Sequence, residues 1–219
     1  MKNHQPPAST KVPAELPMSD GVAPALEVNI TADLPSVDVM HHGRKITIMR
    51  NQNQSNSINP DFANTSRTCP PFCIQPSELS PGVTTIAELE VLRFLKQVSD
   101  GDASVMVIDS RTSAWVEKGV IPGTVNIPWD TLNIGKSDLV TAQEILENQL
   151  GVKRQGDFWD FDNAKTLVMF CNGSWCGQSS TMIKGLLKIG YPAHKIFWYR
   201  GGMQDWESLG LTILKPMAK

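Results

Sequence analysis

From Glu27 to Arg50 apolar and polar residues alternate in three short runs, "EVNIT", "SVDVM" and "KITIM", with "HHGR" placed to turn the chain between the last two. This period of two predicts a small β hairpin or meander. The next stretch, "NQNQSNSINPDFANTSRT", is polar and runs into "CPPFCIQP", where Pro70, Pro71 and Pro76 forbid a regular helix or a central strand. A stiff, turn-rich linker is expected there. Residues 1–25 are rich in Pro, Ala, Ser and charge and read as a flexible tail.

After Gly82 the period lengthens. Thr85 with Glu88 three residues on is a capping-box signal, and Ile86, Leu89, Leu92, Leu95 and Val98 follow at helical spacing to Gly101. "SVMVID" predicts a buried strand ending at Asp109, "RTSAWVEKG" one or two helical turns, and "GTVNIPW" another strand. Thr141 and Glu144 repeat the capping signal ahead of a helix that closes near Gly151. A strand "KTLVMF", a helix "SSTMIKGLLKIG", a strand "KIFWYR" and a short helix "MQDWESLG" complete the series. Strands alternating with helices predict an α/β fold, a mostly parallel sheet covered on both faces, with ligand sites at the carboxyl ends of the strands. The expected organisation is a tail over 1–25, a small β-rich segment with a Cys-Pro-rich linker over 26–79, and one α/β domain over 80–219.

Charge narrows the partners. A formal net charge of −2 over 219 residues supplies no basic field, so neither nucleic acid nor an anionic membrane surface is expected. No apolar run approaches the roughly 20 residues of a membrane span. The first 25 residues lack the pattern of a signal peptide, which favours the cytoplasm; a periplasmic place follows instead if a leader has been removed.

The candidate chemistry lies in "FCNGSWCGQSS". Cys171 ends a strand just before a helix that begins near Ser179, and Gly173 and Gly177 let the intervening backbone curl its N–H groups inward into an anion-binding nest. With the helix N-terminus beside it, a thiol there ionises more easily than a free cysteine, whose pKa is about 8.5. The plain alternative is that Cys171 is a buried small hydrophobe. The loop as a whole, Asn172, Gly173, Ser174, Trp175, Cys176, Gly177, Gln178 and Ser179, favours a site.

Several segments in order, "VMVIDSR", "GVIPGTVNIPW", "LVMFCNG" and "YRGGMQDWESLG", resemble those of the rhodanese-like sulfurtransferases from about Thr84 to Pro216. The resemblance implies a five-stranded parallel sheet in the order 1-5-4-2-3, a catalytic cysteine at Cys171, and a persulfide sulfur carried from donor to acceptor thiol. It also implies a small sulfur-containing donor, thiosulfate or a persulfide, an acceptor that includes protein thiols, and no cofactor. Members of the family often carry an arginine near the end of this loop, whereas here Cys176 stands about there and the loop holds no charge. The donor's anionic end would then rest on backbone amides, helped by Arg200 or Arg111, although an Asp109-x-Arg111 pair at a strand end also suits a structural ion pair. The residue six after Cys171 is Gly177 rather than the arginine of a cysteine phosphatase.

The second thiol leaves alternatives open. Cys176 would resolve a Cys171 persulfide, form a plain redox couple with Cys171, or simply pack. Cys69 and Cys73 would form a local disulfide, pack against the domain, or fold over the Cys171 loop and exchange disulfides with it. A zinc site from all four cysteines is loosely spaced, and no metal is expected. Sulfur transfer through Cys171 is the leading expectation; a thiol–disulfide oxidoreductase and a non-catalytic binding module are the others.

Overall fold

Residues along each central strand face alternate sides, so one sheet serves two cores. The computed structural model describes residues 26–132 and 138–215; the expected tail over 1–25 lies outside them. Strands β1 (Ser36–His41) and β2 (Arg44–Met49) pair antiparallel, with His41 opposite Arg44. His42 and Gly43 turn between them at φ 48° and 74°. "EVNIT" does not join them, because the amides of Glu27 and Val28 donate to Gln52 Oε1 instead of to a neighbouring strand. The polar linker holds a one-turn helix, α1 (Pro60–Ala63), capped by the Asn59 side chain, which accepts from Asp61 N. It drives Phe62 into the core.

The rest alternates as expected, with additions. In chain order come β3 (Thr84–Ile86), α2 (Glu88–Ser99), β4 (Val105–Asp109), α3 (Ser113–Val116), β5 (Val125–Asn126) and α4 (Leu139–Asn148). A small antiparallel pair, β6 (Lys153–Gln155) and β7 (Phe158–Asp160), precedes β8 (Thr166–Phe170), α5 (Gln178–Lys188), β9 (Ile196–Tyr199) and α6 (Gly202–Ser208). The five-stranded sheet runs β3-β9-β8-β4-β5 with every pair parallel. Counted along the chain this is 1-5-4-2-3, the expected order.

Val107, Val168, Phe170, Phe197 and Tyr199 point to one core, with Leu92 and Leu95 of α2, Trp206 of α6 and the hairpin residues Val37, Val39 and Ile48. Ile108, Leu167, Met169, Ile196 and Trp198 point to the other, against Leu146 of α4 and Met182, Ile183 and Leu186 of α5. β8 is buried along its whole length, as a central parallel strand should be.

Two helix starts differ from expectation. Thr85 does not cap α2: it belongs to β3, pairs with Trp198, and its hydroxyl donates to Ser77 O. The cap position is Ala87, whose N–H is taken by the Glu90 carboxylate. α4 is capped by Asp138 rather than Thr141, since that carboxylate accepts from the amides of Val140 and Thr141 and from the Thr141 hydroxyl. No helix among the described residues is long and apolar enough to cross a membrane.

Candidate active site

Cys171 is the first residue beyond β8, and its backbone is fixed by the start of α6. The amides of Met203 and Gln204 donate to the carbonyls of Cys171 and Asn172 at 3.0 and 2.9 Å. That approach demands Gly202, which sits at φ +55° and at which a Cβ would strike the Cys171 carbonyl. The loop then turns on itself, Cys176 N donating to Gly173 O at 2.9 Å, and enters α5 at Gly177.

Both loop thiols are free and buried. The Ser179 hydroxyl lies 3.1 Å from Cys171 Sγ and accepts from Trp198 Nε1 at 3.0 Å. Because the indole can only donate, the Ser179 proton is left for the sulfur. Burial alone would raise the Cys171 pKa, but hydrogen bonds from the Cys176 thiol, from the Ser179 hydroxyl and amide, and from the Gly173 amide outweigh it and bring it down to about 7. Cys176 is pushed the other way, first by its hydrogen bond to Cys171 and then by burial. Of the two, Cys171 is therefore the thiol that ionises first and Cys176 the one that keeps its proton; in the neutral state the Cys171 thiol donates to the Cys176 carbonyl at 3.2 Å.

This relay makes a prediction. A hydrogen bond to a charged group contributes about 1.5–3 kcal/mol, and one pH unit corresponds to about 1.4 kcal/mol. Ser179→Ala is expected to move the midpoint of Cys171 alkylation by iodoacetamide upward by about one pH unit. An unmoved midpoint would remove Ser179 from the thiolate's support.

The other expected residues of the loop are held as follows. Asn172 is buried, with Nδ2 3.8 Å from Cys176 Sγ and Oδ1 without a partner. Gln178 opens α5, and its Oε1 is likewise buried and unpartnered. Trp175 donates from Nε1 to Gln204 Oε1 at 2.8 Å, and its ring is covered by the Arg67 guanidinium at 3.9 Å.

Arg111 is corrected. Its side chain is buried, paired through Nε and Nη2 with Asp109, and donates further to the carbonyls of Trp115 and Gly119. It is a structural ion pair that ties down the α3 segment, not a group for the donor's anion. Arg200 is committed as well, its Nε to Pro76 O and its Nη2 to Gln75 O at 2.9 and 2.8 Å.

Those carbonyls belong to the Cys-Pro segment, which the structure lays across the loop as a strap. Cys69 and Cys73 are joined in a disulfide, which takes both out of any set of thiolate ligands. Gln75 N donates to Ser174 O at 2.7 Å, and Gln75 Oε1 accepts from the Ser180 hydroxyl at 2.8 Å. Phe72 meets Trp175 edge-on at 5.6 Å. Gln75, Phe72, Arg67 and Trp198 were not expected at the site. The Cys-Pro segment was expected over the loop only as one of three alternatives, with no residue but its cysteines singled out, and Trp198 reads as core from its strand.

Comparison with known proteins bears on the family. The rhodanese-like domain family matches residues 92–209. No curated protein matches the chain. Among solved structures, a protein of unknown function from Rhodopseudomonas palustris CGA009, described as a possible tyrosine phosphatase, is 18% identical over 62% of this chain and 88% of its own, with a TM-score of 0.43. A rhodanese with anions from E. coli is 19% identical over 51% of this chain and 99% of its own, TM-score 0.33. The human single-domain sulfurtransferase TSTD1 is 21% identical over 57% and 96%, TM-score 0.38. Likenesses this distant say nothing about chemistry. The family match spans more than half of the chain and covers β4 through α6, with both loop thiols inside it, and on that ground the chain belongs to the rhodanese-like domain family.

Proposed function

We propose that the protein is a sulfurtransferase that carries sulfane sulfur as a persulfide on Cys171. The observation that carries this reading is the environment of Cys171 Sγ: a buried thiol just beyond the carboxyl end of the central strand, 3.1 Å from the Ser179 hydroxyl, in a loop whose hydrogen bonds bring its pKa down to about 7. The Cys171 thiolate attacks the sulfane sulfur of the donor. With thiosulfate the S–S bond breaks, sulfite leaves and Cys171 becomes Cys171–S–SH, with one proton taken from water. The amides of Gly173 and Ser179 that favour the thiolate also favour the negative charge on the approaching donor.

Cys176 is the resolving thiol in this reading. Its sulfur attacks the inner sulfur of the persulfide, hydrosulfide leaves, and Cys171 and Cys176 join in a disulfide. The donor's sulfane sulfur is the oxidant in that step and is reduced to hydrosulfide. The pair's contact also favours a second reading, a thiol–disulfide oxidoreductase that uses the same couple without sulfur transfer.

Intact mass and peptide mapping after incubation with thiosulfate, or with an alkyl persulfide, separate the two. Cys176→Ser is expected to retain one added sulfur on the Cys171 peptide, removable by cyanide, whereas the unaltered protein passes on to the Cys171–Cys176 disulfide. A Cys176→Ser protein that takes up sulfur from neither donor would overturn sulfur transfer and leave the redox couple.

A further inference from the structure

Between the strap and the loop lies a cavity of about 360 Å³ whose chemistry is not that of an anion site. Phe72, Trp115 and Trp129 form its walls, and Asn172, Cys176 and Gln178 lie at its floor. None of the described residues lining it is charged. The lining points to the kind of occupant, since it offers no cation to meet an anion. The aromatic walls call for an apolar body. Cys176, not Cys171, is the thiol that lines the cavity.

Resting on the persulfide reading and its resolution by Cys176, we propose that this cavity admits the reductant of the cycle, an uncharged low-molecular-weight organic thiol whose apolar body lies against Phe72, Trp115 and Trp129. The thiol R–SH, deprotonated on attack, strikes Cys176 Sγ of the Cys171–Cys176 disulfide. That S–S bond breaks, Cys171 leaves as thiolate, and R–S–Sγ forms on Cys176. A second R–SH attacks the R sulfur, giving R–S–S–R and the Cys176 thiol. Two electrons pass from two organic thiols to one protein disulfide, and the protons released are returned to Cys176 and to water. The direction of attack matches the thiols' own environments, since the better-stabilised thiolate, Cys171, is the leaving group.

The test starts from protein oxidised to the Cys171–Cys176 disulfide, so that it does not depend on sulfur loading. Reopening is timed with N-acetylcysteamine, which is neutral, and with 3-mercaptopropionate, an anion of similar reach, each rate divided by the thiolate concentration. N-acetylcysteamine is expected to react at least about 10-fold faster, with saturation, and to lose about 10-fold in Trp129→Ala, by the usual cost of removing an aromatic wall. Equal rates without saturation, or a mixed disulfide trapped on Cys171 instead of Cys176, would overturn the inference. Selective reopening in a protein that takes no sulfur from any donor would sink the persulfide reading and leave the cavity's occupant standing. Sulfur loading with unselective reopening would do the reverse, and oxidation that fails to join Cys171 to Cys176 would overturn this inference outright.

Discussion

Cys171→Ser is expected to reduce sulfur uptake from thiosulfate to the uncatalysed background, a loss of about 1000-fold or more in rate. The size follows from what the substitution removes. A serine hydroxyl is not ionised near neutral pH, so the thiolate that the Ser179 hydroxyl, the Cys176 thiol and the loop amides are arranged to support no longer exists. Burial still holds the Cys176 proton when Cys171 is gone, so little uptake is expected to pass to it. Residual uptake that migrates to the Cys176 peptide would identify it as a substitute nucleophile. Uptake that persists at the normal rate on neither cysteine would remove the loop from the reaction altogether.

The largest effect on stability is expected from Arg111. Its side chain is entirely buried and holds Asp109, itself 1% exposed, by a bidentate pair. Arg111→Met leaves the Asp109 carboxylate without its partner in the core and the Gly119 carbonyl without its donor, while the Trp115 carbonyl keeps the Lys118 amide. Breaking a buried pair from one side costs about 3–5 kcal/mol. Denaturant unfolding should show a loss of that order, with the Asp109→Asn, Arg111→Met double variant recovering part of it. A loss within about 1 kcal/mol would mean that the carboxylate finds water or another donor. The same substitution should loosen Trp115, so any effect on thiol reopening would come through the cavity wall rather than through contact with sulfur.

How much of this was legible in the sequence depended on the range of the interaction. The central strands were, because "SVMVID", "KTLVMF" and "KIFWYR" are apolar on both faces and bounded by turn residues. β3 was not, since three residues carry no period, and Ile86 continues the spacing of the helix after it. The thiols and their loop were legible from local grammar: a strand end, two glycines and a helix start. Arg111 was readable only as one of two possibilities, because the sequence places it beside Asp109 without revealing that Trp115 O and Gly119 O complete its shell. The linker was legible in its stiffness, and its place over the Cys171 loop only as one alternative among three. Asn59 caps only its own turn at Asp61, and Phe62 and Gln75, which set where the linker enters and where it lands, act on partners far away in the chain.

The strap divides the site between two stretches of chain that the family match does not treat alike. The matched residues, 92–209, hold both loop thiols, Ser179 and Trp198, while Phe72 and Gln75 lie outside them. A protein trimmed to the matched stretch would keep both thiols and lose Phe72, one wall of the cavity that Cys176 lines. Measurements on such a fragment would describe an unroofed thiol open to any reagent. Selectivity among substrates would therefore be inherited separately from reactivity, through a piece of chain that domain-level comparison leaves out.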